Sequence, residues 1–307
     1  MQGTVVKSTG SWYAVQEKTT GKVYRCRLRG KFKLNDKKIT NPLAVGDKVV
    51  FDLEEKAETA IITKIEDRNN YIMRKSVHKT GHGHIVAANI DQAMLIASLT
   101  LPRTSLGFID RFLVNAESFR IPSVVVFNKW DLLAEEERDY VMEAIGMYQS
   151  IGYKTLITST VTGLNVNAFY DLLDQKITLL TGHSGVGKSS LVNAIAPELD
   201  LKTDEISLFA NKGKHTTTFA QMFELDDCTQ IIDTPGIKEL GMIELEAANI
   251  SHYFPEMREK LNQCKYHNCQ HVNEPGCVIK QAVDDGEIAL SRYQSYLSIL
   301  FEDDNRR

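Results

Sequence analysis

Apolar and polar residues alternate with a period of two in five short runs near the start of the chain: Thr4–Val6, Trp12–Gln16, Val23–Leu28, Lys48–Leu53 and Ala60–Ile65. Gly10, Gly21, Gly30 and Gly46-Asp47 separate them, and no long helical pattern intervenes. That alternation predicts half-buried strands joined by tight turns. Five such strands in so short a stretch predict a small all-β barrel, an OB-fold ahead of an SH3-like barrel.

From Asn89 onward the period changes. Apolar runs at Ala93–Ser98, Ser123–Asn128, Lys154–Ser159, Lys176–Thr181, Phe219–Leu225 and Thr229–Asp233 read as strands, and Leu106–Phe119, Glu135–Ser150, Val166–Leu173 and Lys188–Ile195 read as amphipathic helices. Alternation of the two predicts an α/β domain with a largely parallel sheet. Asp200–Thr218 has no clear period and is expected to be a switch or loop. Beyond about Met242 the pattern is helical, at Phe254–Asn262 and Glu287–Phe301, and the tail after Glu302 is expected to fray. The division expected is therefore a barrel over 1–68, an α/β domain over 69–242 and a mainly helical domain over 243–307.

Composition bounds the partners. With 43% hydrophobic and 25% charged residues in 307, the chain reads as globular. No apolar run approaches the length of a membrane span, and Met1–Gly10 lacks the core of a signal peptide, so a cytoplasmic, non-membrane and monomeric protein is expected. The net charge of -4 hides an asymmetry: residues 1–80 hold 17 Lys and Arg against 9 Asp and Glu. Arg25, Arg27, Arg29 and Lys31 fall on one side of a strand, beside Trp12, Tyr13, Tyr24 and Phe32. Such a stripe suits a phosphate backbone and equally suits an ordinary solvated face.

The chemistry begins at Gly182-His183-Ser184-Gly185-Val186-Gly187-Lys188-Ser189-Ser190, which follows an apolar strand and opens a helix. Glycines there let backbone N–H groups curl around phosphate oxygens, with Lys188 for the β- and γ-phosphates and Ser189 for Mg²⁺. Asn128-Lys129-Trp130-Asp131 stands at the end of another strand. The Asp131 carboxylate can accept from guanine N1–H and the 2-amino group, which adenine lacks. Together they predict binding of GTP and GDP. Ser159 suits the remaining base-side loop. Asp233-Thr234-Pro235-Gly236 would hold Mg²⁺ through Asp233 and sense the γ-phosphate through the Gly236 amide. A Ras-like chain meets its phosphate loop first; here Asn128–Asp131 precedes it, so the domain reads as circularly permuted.

Ile237 occupies the place of the water-orienting Gln of Ras-like proteins and cannot position water. His215, in Gly213-Lys214-His215-Thr216-Thr217-Thr218, is the nearest candidate for that task, and an idle surface histidine is the alternative. Thr217 or Thr218 is placed to reach Mg²⁺. Two further classes fit parts of the pattern: a nucleotide-gated RNA-binding module with little catalysis, consistent with Ile237, and an ATP-using phosphate-loop protein.

Cys264, Cys269, His271 and Cys277 fall close together, with His267 as a competing donor. Three thiolates and one imidazole complete a tetrahedral Zn²⁺ site with no open position, so a single structural zinc is expected, against an alternative of buried free thiols.

Taken together, the basic barrel, NKWD, GHSGVGKSS, KGKHTTT, DTPGI, CKYHNCQHVNEPGCVI and SRYQSY resemble the ribosome small-subunit-dependent GTPase A family, also called RsgA or YjeQ, over nearly the whole chain. The resemblance implies an OB-fold, a permuted GTPase domain and a zinc domain that bind the small ribosomal subunit and its 16S rRNA late in maturation. It also implies hydrolysis stimulated by that subunit, help in releasing another maturation factor, and a catalytic role for the histidine before the triple threonine, here His215. Lys214 and Thr160 depart from the family's usual residues.

Overall fold

The computed structural model describes residues 1–30, 39–54, 59–75, 82–201, 220–233 and 245–302. Five strands, β1 (Gln2–Ser8), β2 (Tyr13–Glu17), β3 (Val23–Leu28), β4 (Lys48–Leu53) and β5 (Thr59–Ile65), form the N-terminal barrel. β1 pairs antiparallel with both β2 and β4, and the ring closes through a parallel β3–β5 pair. That closure order is OB-like, in agreement with the expected fold. Period-two alternation places Val5, Val15, Cys26, Val49, Phe51 and Ile62 inside, fully buried. Burial in this apolar interior pushes the Cys26 thiol up to about 12. Arg25, Arg27 and Arg29 alternate with Cys26 and stay exposed; the Arg25 guanidinium lies 4.1 Å from the Trp12 ring centroid. Lys31 and Phe32 lie outside the described residues.

A hairpin that the alternation did not announce, β6 (Tyr71–Lys75) and β7 (Gly83–Ala88), follows the barrel. Its Ile72, Val86 and Ala87 join Val45 of the barrel in one apolar cluster with the α/β sheet. Residues buried on a hairpin between two units face apolar neighbours on more than one side, so the simple alternation is lost. Beside it Arg68 donates to both oxygens of the fully buried Asp47 at 2.6 and 2.8 Å. The barrel is thus held on the next unit by packing, while the bidentate ion pair ties the segment leaving β5 back to the barrel.

The α/β unit contains β8 (Gln92–Ala97), α1 (Leu106–Ser118), β9 (Ser123–Phe127), α2 (Glu135–Ser150), β10 (Lys154–Ile157), α3 (Val166–Leu173), β11 (Ile177–Thr181), α4 (Lys188–Ile195), β12 (Gln221–Glu224) and β13 (Gln230–Asp233). The strand order is β10-β9-β8-β11-β13-β12, parallel except for β12. Every residue of β8 is buried, as expected for a central parallel strand covered on both faces. β11, which carries the phosphate loop, enters between β8 and β13. The first strand of the unit therefore lies mid-sheet rather than at an edge. A bridge between Lys7 and Gln221 joins β12 to β1, so barrel and α/β strands form one continuous sheet.

At the C-terminal end the expected Phe254–Asn262 helix shortens to α5 (Pro255–Arg258), with 3-10 turns at Ala247–Tyr253 before it. The chain reverses after Arg258, with Asn262 in the left-handed region, to bring Cys264 inward. The expected Glu287–Phe301 helix begins only at α7 (Leu290–Leu300), because Glu287 and Ile288 still donate back to Ala282 at 2.8 and 3.1 Å. α6 (Val278–Asp284) was not anticipated from the pattern. Phe254, Met257, Ile279 and Tyr296 pack together with Val114 of α1.

One buried charge group ties this end to α1. Arg292, 1% exposed, donates to Asp110 at 2.8 Å and to Glu256 at 2.7 and 3.2 Å, and Tyr148 donates to the same Asp110 oxygen at 2.8 Å. Truncating the cation leaves two buried carboxylates without their partner. Arg292→Ala is therefore expected to lower stability by about 3–5 kcal/mol, read from the guanidinium unfolding midpoint. An unchanged midpoint would show that the group contributes nothing to holding the units together.

Candidate functional site

The loop after β11 is shaped by where a side chain cannot go. At Gly182, φ is 147°, and a Cβ would lie 2.2 Å from the Ile96 carbonyl oxygen of the neighbouring strand. At Gly187, φ is 97°, and a Cβ would lie 2.3 Å from Asn128 Nδ2. Between them Ser184 and Gly185 are exposed, while Val186 is fully buried and anchors the loop in the core cluster under α4. The outer backbone is left open and the inner side chain fixed. Such a loop leading into a helix N-terminus can receive anionic oxygens.

Lys188 is 6% exposed, and its ammonium lies back over the loop, donating to the Gly182 and His183 carbonyls at 2.7 and 3.0 Å. Burial lowers its pKa, and the Asp233 carboxylate opposes that shift. Ser189 follows at the start of α4, 6% exposed, and Asp233 ends β13, 7% exposed. Ser190 is half-buried on the same turn. His183 does not face the open side of the loop; its ring packs against Phe108 of α1 with centroids 4.0 Å apart.

The base-side elements converge on the same edge. Asn128, 4% exposed, donates from Nδ2 to the Val186 carbonyl at 2.8 Å and accepts the Thr158 hydroxyl at 3.0 Å. One amide thus clamps the phosphate loop to two strand ends. Lys129 takes a left-handed conformation, φ 66°, and its Nζ donates to the Leu101 carbonyl at 2.7 Å. Trp130 and Asp131 form a short 3-10 turn, with Arg138 over the Trp130 ring at 5.4 Å. Ser159, fully buried, donates its hydroxyl to Asp131 Oδ1 at 2.5 Å and accepts the Thr162 amide at 3.2 Å. The carboxylate is held in one orientation, with its second oxygen available for donors on a ring.

Cys264, Cys269, His271 and Cys277 also come together, their ligand atoms all within 4.8 Å of one another, whereas His267 is not among them. Cys264 Sγ lies 4.0 Å from Cys277 Sγ, and His271 Nδ1 is 3.7 and 3.4 Å from these sulfurs. A tetrahedral ion with metal–sulfur bonds of about 2.3 Å has sulfur–sulfur edges of about 3.8 Å, so the four residues fit a metal ion. Burial pushes the Cys269 thiol up to about 12 and lowers the His271 pKa, which favours the neutral ligating imidazole. The loops are braced from outside the cluster. Glu274 accepts the amides of Gln270, Val272 and Asn273 at 2.7, 2.8 and 3.0 Å, and the Tyr293 and Tyr296 hydroxyls donate to the His271 and Gln270 carbonyls at 2.6 and 2.7 Å.

His215, Thr217, Thr218 and Gly236, with Thr234, Pro235 and Ile237, lie outside the described residues. Two groups at the site were not singled out from the sequence. Thr158 supports Asn128, and its only signal was its place before Ser159 at a strand end. The Leu101 carbonyl supports Lys129, and a backbone acceptor leaves no trace in side-chain identity.

Residues 65–243 match the family model described as RsgA GTPase, and residues 2–61 match the RsgA N-terminal domain. The chain is 51% identical over 310 residues to a protein of Christiangramia forsetii named small ribosomal subunit biogenesis GTPase RsgA, covering 100% of this chain and 98% of the relative. It is 52% identical over 308 residues to one of the same name from Cytophaga hutchinsonii, with 100% of both covered. Among solved structures it resembles YjeQ from Thermotoga maritima, with a TM-score of 0.78, 36% identity and coverage of 100% and 99% of the two chains. It also resembles YloQ, a circularly permuted GTPase, with a TM-score of 0.72, 30% identity and coverage of 100% and 96%.

Proposed function

Because the chain belongs to the RsgA GTPase family, a family of GTP-hydrolysing enzymes, we propose that it is a biogenesis factor of the small ribosomal subunit, working late in maturation and stimulated by that subunit. The observation that carries the guanine-nucleotide assignment is the Asn128 clamp beside an Asp131 carboxylate fixed by Ser159. It sets a guanine-reading carboxylate and a phosphate loop at one sheet edge. Gly182–Ser190 cradle the phosphates, Lys188 turning from the loop carbonyls to the β- and γ-oxygens. Ser189 and Asp233, with Thr217 or Thr218, hold Mg²⁺, which offsets phosphate charge when bound, and the Gly236 amide reads the γ-phosphate. His215 orients the attacking water that Ile237 cannot.

The Cys264–Cys269–His271–Cys277 set takes one structural Zn²⁺, because three thiolates and an imidazole leave no coordination position for a substrate. Exposed Arg25, Arg27 and Arg29 beside Trp12 suit contact with 16S rRNA through phosphate attraction and stacking. We assign residues 1–68 to RNA contact, 69–242 to nucleotide chemistry and 243–307 to the metal-stapled module of a cytoplasmic monomer. Among the described residues no helix is long and apolar enough to cross a membrane.

The test is multiple-turnover phosphate release from GTP with small subunits, with large subunits and with neither. Stimulation by small subunits alone is expected, and equal rates in all three would overturn the assignment. In the same assay His215→Ala is expected to abolish the stimulation while leaving GTP affinity unchanged. Intact stimulation would remove His215 from the mechanism.

A further inference from the structure

The barrel and the strand that ends in Asp233 share one neighbour. Lys7 of β1 pairs with Gln221 of β12, and Gln221 pairs on its other side with Asp233 of β13. A rung of the sheet therefore runs from the barrel to Asp233 across one residue. β1 reaches β12 by changing partners: Gln2, Gly3 and Thr4 pair with β4, and Lys7 pairs with β12. Its register against β2 shifts between Val5 and Lys7, so Val6 is an extra residue, and such a bulge bends the strand. Val6 packs against the apolar cluster of the α/β sheet, which holds the bend in place. Nearer the turn of the β12–β13 hairpin, Gln16 of β2 donates from Nε2 to Glu224 at 2.9 Å. Two attachments along β12 thus fix how the barrel sits on it.

The hairpin itself is pinned at its turn. Asp226 accepts the Cys228 and Thr229 amides at 2.8 Å each and the Tyr170 hydroxyl of α3 at 2.6 Å, and the Thr229 hydroxyl accepts the Gln175 amide at 3.0 Å. Its other end, Gln221 beside Asp233, is preceded in sequence by residues 213–218 and followed by residues 234–236. The two stretches assigned to Mg²⁺ and the γ-phosphate are therefore the two continuations of one hairpin. The barrel is fastened to that hairpin's outer strand.

We propose, resting on the reading of Asp233 as a holder of Mg²⁺ and of the barrel as an RNA-contact unit, that the β12–β13 hairpin passes the nucleotide state to the barrel and the barrel's contacts back to Asp233. Gln16 and Glu224 are positioning residues in this coupling. With the turn fixed, order imposed by Mg²⁺ and the γ-phosphate falls on the open end, where Gln221 has Asp233 on one side and Lys7 on the other. The tie from Gln16 to Glu224 keeps the barrel from pivoting about the Lys7 rung, so β1 follows β12. Coupling between two sites is reciprocal, so a nucleic acid that holds the barrel in this register favours the Mg²⁺-bound GTP form in return.

The experiment measures amide exchange of Lys7 and Ser8 in the full chain with GDP and with a non-hydrolysable GTP analogue plus Mg²⁺. The analogue is expected to slow exchange there by about fivefold or more relative to GDP. Glu224→Ala, an exposed position outside the nucleotide site, is expected to cut that ratio by about threefold, and deletion of Val6, which removes the bulge, to abolish it. A hydrogen bond that merely stabilised the fold would change exchange in both nucleotide states alike and leave the ratio intact. Equal exchange with the two nucleotides in the wild type, or an unchanged ratio in both variants, would overturn the coupling. The reverse arm adds oligouridylate as a nucleic-acid probe, expected to tighten binding of the analogue by about fivefold without tightening GDP. Binding of the probe with no change in the preference for the analogue over GDP would also overturn it. Asp233→Asn separates the two readings. If it leaves the Mg²⁺ dependence of analogue binding unchanged, Asp233 does not hold the metal and the coupling falls with that assignment. If it removes that dependence in a chain whose Lys7 and Ser8 amides never responded to nucleotide, the metal assignment stands and the coupling alone fails.

Discussion

Asp131→Asn is expected to lower affinity for GDP and GTP by about 10³-fold and to transfer much of that affinity to xanthosine nucleotides. The carboxylate offers only acceptors, and guanine presents two donors to it, N1–H and the 2-amino group. Asparagine keeps one acceptor for N1–H but turns an amide donor toward the 2-amino group, so two donors face each other. Xanthine carries an oxygen at that position and accepts the amide instead. Ser159 makes the effect sharp, because its hydroxyl at 2.5 Å fixes which carboxylate oxygen faces inward. Competition of labelled GDP by guanosine, xanthosine and adenosine diphosphates measures the switch. A variant that loses guanine without gaining xanthine would place the base elsewhere, and adenosine diphosphate competing in the wild type as well as guanosine diphosphate would return the ATP reading.

The same residues show why some of the site could be read from the chain and some could not. Asn128, Asp131, Gly182, Gly187 and Lys188 have requirements written in residue identity: a planar amide, a carboxylate, a missing Cβ, a long cation. The β8, β9 and β11 strands were legible because burial on both faces demands continuous apolar runs. The β6–β7 hairpin was not, because its buried positions answer to the barrel and the sheet at once. Nor was the short α5, where the need to deliver Cys264 to the cluster overrides the local helical pattern. The permutation was visible as motif order, but its consequence was not. Only the strand order shows β11 inserted beside β8, and only the Lys7–Gln221 bridge shows the barrel sheet continuing from β12.

Removing the metal from the cysteine cluster is expected to unfold the C-terminal module while leaving nucleotide binding in place. Without an ion the Cys269 thiol is neutral at physiological pH, since burial first, and then its contacts with Cys277 and Cys264, push it up to about 12, and a neutral thiol is a weak hydrogen-bonding group. The remaining braces are the Glu274 amide contacts and the two tyrosine hydroxyls, each worth about 1–3 kcal/mol at most, against about 10–16 kcal/mol for a structural zinc site. Loss of the loop also loosens α7, which carries Arg292, and so exposes the Asp110 and Glu256 pair. The phosphate loop and Asn128 rest on the other two apolar clusters of the sheet and do not depend on this one. Chelation, or Cys277→Ser, is therefore expected to raise amide exchange across residues 245–302, to abolish stimulation by small subunits, and to leave GDP affinity within a few-fold of the wild type. If exchange over 245–302 stayed protected after the metal was stripped, apolar packing around Phe254 and Tyr296 would be sufficient and the cluster would not be the staple. If GDP affinity fell with it, the Asp110–Arg292 contact would be carrying structure from the metal to α1 and the phosphate loop, through the Phe108–His183 stack.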